Sequence, residues 1–413
     1  MRPAALFLYC FLSAIFAASG TYGQLGCTDL QATNYDPSAV INDGSCVYAA
    51  TTLSTTQLNF LQTPILDENS GLFFKNNQLW SHVDDTYNEL YEIDTISGYV
   101  TRTVALSAAY NYDWEEAQVD SQYVYVGDIG NNYGNRTDLK FFRYPLSVLD
   151  TPSSGALPDT IFFSYSDQTD FTSAFRTTRF DAEAFIVVND TIQLFSKDWK
   201  FKQARRYTIP AIPGVHIAQL QDSISAAGLI TGASISSNGV VVLVGYDNAI
   251  PPPCFLWALY DYSGSSLYSG NKRKFSIGSA ITVGQTEGIC FRSGEYGYIS
   301  NERFQQSIFN VAPQLRSFDL SPFLIQNSTS INVPLKHSFF VYPIPALDVI
   351  TIDGVSDGSV QYRLYDLGGR QLLKGVADAI PFSIRRDGIA GGIYLLEVSR
   401  DDESPLQLRI VLN

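Results

Sequence analysis

Between Asp113 and Asn135 the chain places acids and carboxamides at both ends of one short apolar run. Asp113-Trp114-Glu115-Glu116 comes before the run at residues 123–126. Gly127-Asp128-Ile129-Gly130-Asn131-Asn132-Tyr133-Gly134-Asn135 comes after it. A half-buried strand alternates apolar and polar residues, so acids gathered at its ends belong where a sheet meets a cavity or a turn. Comparable acids stand at Asp84, Asp181, Glu183 and Glu287. Carboxylates brought together repel one another, so either some stay protonated or a cation neutralises them. Hard oxygen ligands of this kind suit calcium. Asp84, Asp113, Glu115, Asp128, Asp181, Glu183 and Glu287 are therefore candidate metal ligands. The plainer alternative is that they cap turns and accept backbone N–H groups, as Asp and Asn commonly do in β-proteins. His82, Glu183 and Lys197 are the catalytic candidates: a base beside a metal, and a cation for an anionic oxygen. No Gly-x-Ser-x-Gly, His-Glu-x-x-His or Ser-His-Asp arrangement is legible.

These residues need elements that carry them to one place, and a faint internal repeat supplies them. A small or acidic residue opens an apolar run at Ser70-Gly71-Leu72, Glu115-Glu116-Ala117, Glu183-Ala184-Phe185, Thr231-Gly232-Ala233 and Glu287-Gly288-Ile289. Second strands are expected at 78–80, 123–126, 191–195, 240–245 and 296–299, and third strands at 89–93, 140–144, 204–209 and 255–260. Outer strands fit 100–106, 160–165, 216–222 and 272–277. One four-stranded blade per repeat is the pattern of a β-propeller. The fold class is all-β, with five blades legible over 51–325; the spacing also admits six. Residues 55–60 could pair into the last blade and close the ring. Equivalent openings would put Glu115, Glu183 and Glu287 at the channel end of different inner strands.

Composition and flanking segments set the setting. The 413 residues carry a net charge of −14, which argues against nucleic acid and against an anionic membrane surface. Residues 1–23 read as a signal peptide: Arg2, an apolar stretch over 4–18, then small residues before Gln24. No later stretch is apolar for long enough to span a membrane. After cleavage four cysteines remain. Cys27 and Cys46 bracket a small module at 24–50 and are the expected disulfide, a closure contributing about 3 kcal/mol in the chain-entropy description. Its Asp29, Asn34, Asp36, Asn42 and Asp43 offer oxygens to calcium or simply make turns. Cys254 and Cys290 lie in apolar strands, where a buried thiol packs as a small hydrophobe; their pairing is the alternative. A linker is expected at 326–335.

Two resemblances add to this. Residues 336–413 contain Tyr342-Pro343-Ile344-Pro345, Tyr365-Asp366-Leu367-Gly368-Gly369-Arg370 and Gly392-Ile393-Tyr394. This segment resembles the C-terminal sorting domain of the Bacteroidetes type IX secretion system, although Ile344 replaces the family's usual Asn. The resemblance implies a small β-sandwich, contact with the secretion machinery, and release or attachment at the cell surface. The segment Trp80-Ser81-His82-Val83-Asp84-Asp85, with Asp113-Trp114-Glu115, Gly127-Asp128-Ile129-Gly130-Asn131, Asp181-Ala182-Glu183-Ala184 and Ser196-Lys197-Asp198, resembles a set of exported bacterial propellers. That resemblance implies fold and site, not a reaction. Two functional readings follow. One is a surface binding module with a cation in its channel, taking a glycan, protein or small ligand through loop aromatics such as Tyr110, Tyr112, Tyr133 and Trp199. The other is a calcium-dependent hydrolase of the lactonase or phosphoesterase propeller type.

Overall fold

Short apolar runs bounded by turn residues become strands, and the sheets they build are radial. The computed structural model describes residues 24–324, apart from Asp85 and Ala156, and, with short interruptions, 339–412. The signal peptide read at 1–23 and the linker read at 326–335 lie outside the described residues. The chain divides into two compact units, Met1–Gln326 and Asn327–Asn413.

In the first unit the inner strands are Asn69–Lys75, Trp114–Val119, Ala182–Val188, Leu229–Ile235 and Gln285–Ser293. Each leads an antiparallel meander, and each packs against the next, the fifth returning to the first. The ring therefore has five blades. Its closure comes from the other end of the chain: Thr56–Phe60 pairs antiparallel with Gln314–Asp319 as the outer strand of the fifth blade. The third strand of that blade, Gln314–Asp319, escaped the sequence pattern because a hairpin of Phe304–Gln306 and Phe309–Val311 is inserted before it. The outer strands of the second and third blades, Asp159–Tyr165 and Gly214–Ser225, pair in parallel and fuse those blades into one eight-stranded sheet.

Apolar faces of neighbouring blades meet between the sheets. Phe141 of the second blade sits 5.2 Å from Phe163 and 4.9 Å from Phe185 of the third, within one buried cluster. Towards the axis the strands approach too closely for ordinary side chains. A Cβ on Gly232 would lie 2.2 Å from the Glu287 carbonyl oxygen, so the small residues of the repeat are contact points between blades.

The N-terminal module pairs Leu25–Gly26 with Ile41–Asn42 and is closed by the Cys27–Cys46 disulfide. It docks on the fourth blade: Asp29 accepts hydrogen bonds from the hydroxyls of Tyr48 (2.8 Å) and Tyr260 (2.7 Å), and Thr51–Thr52 adds a parallel strand beside Asn271–Ser279. Its acids make turns. Asp36 accepts from the Ser38 N–H, Asn42 from that of Gly44 and Asp43 from that of Ser45. Cys254 and Cys290 are buried free thiols. In the C-terminal unit, one sheet of Phe339–Tyr342, Val349–Gly354 and Phe382–Arg385 shares a core with a four-stranded sheet. Ile350, Ile352 and Ile384 of the first meet Leu364, Leu396 and Ile410 of the second.

The Gly232 contact is testable. Gly232→Ala forces overpacking against backbone and is expected to destabilise the propeller by about 1–3 kcal/mol. The urea midpoint should fall with little change in slope; an unaltered midpoint would mean that the fourth and fifth inner strands are not in backbone contact.

Candidate active and cation-binding pocket

The strand pairing shows why acids converge on the axis. Within every inner strand the register slips at the same place, leaving one residue, or two in the first and fifth blades, unpaired with the second strand. The first unpaired residue in each strand is Ser70, Glu115, Glu183, Thr231 and Glu287 in turn, the residues that open the five repeats; Gly71 and Gly288 are skipped as well. A bulge re-aims its side chain, and Ser70, Glu115, Glu183 and Glu287 face one axial cavity of about 100 Å³. A second tier comes from the ends of the second strands: Asp84 and Lys197 lie one residue beyond the last paired position, Tyr246 and Glu302 are the last paired residues themselves, and all four line the cavity. The second blade offers Ile129 there. A third tier lies at the start of the inner strands: Glu68 and Asp113 come just before them and Gln285 opens the fifth. Asn132 and Arg176 complete the rim from loops. Seven carboxyl groups thus face two cationic side chains.

Lys197 forms a buried ion pair with Glu183 Oε1, and its ammonium lies 5.0 Å from the Trp199 ring centre and 5.5 Å from that of Tyr246. Burial works against the Lys197 charge, but the carboxylates of Glu183, Glu287 and Glu115 outweigh it and hold the lysine protonated. The other Glu183 oxygen, Oε2, is buried without a hydrogen-bond partner. Burial pushes Glu183 up to about 8, with Lys197 opposing and Asp181 adding to the rise. Burial and the Glu183 charge drive Glu115 and Glu287 well above the usual carboxylate range. Glu302 rises to about 8 through burial and then Glu68, and Asp113 to about 6 through burial and then Asp181. Gln285 Nε2 donates to both Glu287 and Glu302. One oxygen each from Glu68, Asp84 and Glu302 lies within 4.8 Å of the others. Gly130 leaves room for the acids: a Cβ there would meet the Asp113 carboxyl carbon at 2.3 Å and Glu115 Oε1 at 2.4 Å.

Of the expected ligands, Asp84, Asp113, Glu115, Glu183 and Glu287 line the cavity. Asp128 and Asp181 have other partners. Asp128 ends its strand one residue short of the pocket tier, and strand alternation turns it to Arg136 (2.9 Å) and Lys140 (2.8 Å). Asp181 accepts from the N–H groups of Asn131 (2.6 Å) and Ala182 (3.1 Å) and from the Trp199 indole (2.7 Å). His82 is fully buried, with Nδ1 at 3.1 Å from the Val83 carbonyl and Nε2 at 3.3 Å from the Gly71 N–H. The Val83 carbonyl can only accept and the Gly71 N–H can only donate, which leaves His82 neutral; burial depresses it to about 4. It is a packing residue against Trp114, outside the cavity lining. Glu68, Glu302 and Arg176 were not singled out from the sequence. The first two occupy repeat-equivalent positions to Asp113 and Asp84, which is the signal that could have found them. Arg176 belongs to a long loop with no such equivalence.

Residues 340–413 match the family described as the secretion system C-terminal sorting domain. The protein is thus delivered by the type IX route and is secreted or attached at the cell surface. No curated protein sequence matches the chain. Among solved structures, a PQQ-bound aldose sugar dehydrogenase from Streptomyces coelicolor is 12% identical, with 64% of this chain and 97% of that chain covered and a TM-score of 0.37. An exo-β-1,3-galactanase from Phanerochaete chrysosporium is 11% identical over 86% of this chain and 99% of that one, with a TM-score of 0.42. Among the described residues, no helix is long and apolar enough to cross a membrane.

The raised carboxyls set a pH signature in chelator. Folding raises Glu302 from an ordinary 4.5 to about 8, so the folded state binds that proton more tightly. This favours folding at pH below 4.5, and the advantage is lost as pH rises through about 8. Glu302→Gln cannot ionise, so its melting temperature should gain on the wild type across that window. Parallel curves would show that Glu302 titrates normally in the folded protein.

Proposed function

We propose that the protein is a surface-delivered binding module whose axial pocket holds a divalent cation, with calcium the best match to its ligands. One observation carries the reading: seven carboxyl groups surround a cavity of about 100 Å³ with only Lys197 and Arg176 to balance them. Two features fit the residues to a metal. Glu183 Oε2 is buried and unpartnered in the same cavity, and Glu68, Asp84 and Glu302 bring ligand oxygens within 4.8 Å. All are hard oxygen donors, and a cation among them would restore ionisation to acids that burial otherwise keeps protonated.

The hydrolytic reading has the buried Lys197–Glu183 pair in its favour, since an ammonium at the cavity wall could hold an anionic oxygen. His82 as its base is disfavoured by its position in the core. In that reading Glu183→Gln abolishes turnover on ester, lactone or phosphoester substrates while the protein stays folded.

Calcium is expected to raise the melting temperature of the mature chain relative to chelator. The stabilisation would be about 2.7 kcal/mol at a hundred times the dissociation constant. Asp84→Asn with Glu302→Gln should abolish most of that shift. Equal melting with calcium and chelator would remove the metal and leave the acids as protonated wall groups.

A further inference from the structure

We infer that the mouth of the axial pocket binds a neutral carbohydrate chain, one sugar ring lying on the Tyr133–Phe175 pair with its hydroxyls directed to Arg176 and the pocket carboxyls. This deepens the binding reading above and rests on it. Inner strands start at the pocket end and second strands return there, so the loops at 129–139, 166–181 and 197–202 all surround the mouth. Tyr133 and Phe175 are 52% and 53% exposed, with ring centres 4.9 Å apart. Their loops are tied together by backbone bonds from the Ala174 N–H to the Tyr133 carbonyl (2.9 Å) and from the Arg176 N–H to the Asn132 carbonyl (2.8 Å). The apolar pair is therefore held in place rather than left as a loose tip.

Arg176 is the second, independent element. Its backbone lies in the left-handed region, at φ 52°, a cost that persists only where surroundings impose it. Its guanidinium sits 4.9 Å from the ring centres of both Phe175 and Trp199. Although it lines a cavity with seven carboxyl groups, it forms an ion pair with none among the described residues. Stacking positions the fork and leaves its N–H groups for a ligand. A sugar presents an apolar C–H face and an edge of hydroxyls that both donate and accept. An exposed aromatic platform beside carboxylate acceptors and an unpaired guanidinium donor complements both parts. Tyr112, stacked under Arg136 at 4.6 Å, and the exposed Tyr110 extend the aromatic rim and suit a chain longer than one ring.

Electrophoresis of the mature chain through gels containing galactan, xylan, mannan or β-glucan tests the inference, in calcium and in chelator. At least one polysaccharide should retard the wild type. Phe175→Ala and Arg176→Gln should each weaken that retardation about tenfold, with melting temperatures unchanged because both side chains are exposed. Tyr99→Ala, at an exposed ring on the opposite end of the first blade, should bind as the wild type does. No retardation by any of the four, or retardation undiminished in both variants, overturns the inference. Retardation that persists in chelator, without a calcium-induced melting shift, upholds carbohydrate binding and sinks the cation instead. A calcium shift without retardation does the reverse.

Discussion

An inner strand of a propeller has one edge without a neighbouring strand, and its backbone groups must still find partners. The rest of this structure follows from how that edge is satisfied. Glu116 and Gln118 reach from the second blade to the fourth: Glu116 Oε2 accepts from the Ala233 N–H at 3.1 Å, and Gln118 Nε2 donates to the Ala233 carbonyl at 2.9 Å. Ser70 donates to the Glu115 carbonyl (2.6 Å), Thr231 to that of Thr286 (2.7 Å) and Asn69 to that of Asn301 (2.6 Å). These bonds tie blade to blade where apolar packing runs out. They also require polar residues near the axis whatever the protein binds.

The pocket grows out of this scaffold by small displacements. Glu115 and Glu116 are adjacent, yet the bulge turns the first into the cavity while the second stays among backbone donors. Glu116 is buried and raised well above the usual range by that burial, while its hydrogen bonds from Ala233, Ala117, Gln118 and Leu72 work in the other direction, and its role is complete within the fold. Among the described residues, Glu115, Glu183 and Glu287 have no such sets of backbone donors. Their charges are opposed by burial and by one another, with Lys197 as the principal counterweight. A site that is under-neutralised in this way differs physically from one that merely contains acids.

The N-terminal module shows the contrast. Asp36 is half-buried and Asp43 exposed, and hydrogen bonds from Ser38 and Ser45 lower them. Their oxygens are committed to turns, so the same residue types serve as local architecture there and as a polar cavity at the axis. Delivery is a separate matter carried by the C-terminal unit, whose β-sandwich core is built from its own residues.

By itself the sequence determined the repeat openings, the closing strand at 55–60, the disulfide and the sorting domain. Each depends on local periodicity, on chain spacing or on a motif contiguous in the chain. It also placed Glu115, Glu183 and Glu287 at equivalent positions, because a repeated opening implies a repeated location. Only the tertiary structure decided which acids face the cavity. Asp128 and Asp113 look alike in sequence, but a one-residue difference in register sends the first to Arg136 and Lys140 and the second to the cavity. His82 reads as a candidate base until burial and two backbone contacts are seen to hold it neutral. Glu68 and Glu302 meet the other acids only when the fifth blade closes against the first, and Arg176 reaches them from the loop at 166–181. Partnering is settled by contacts distant in the chain, and strand periodicity carries no record of them.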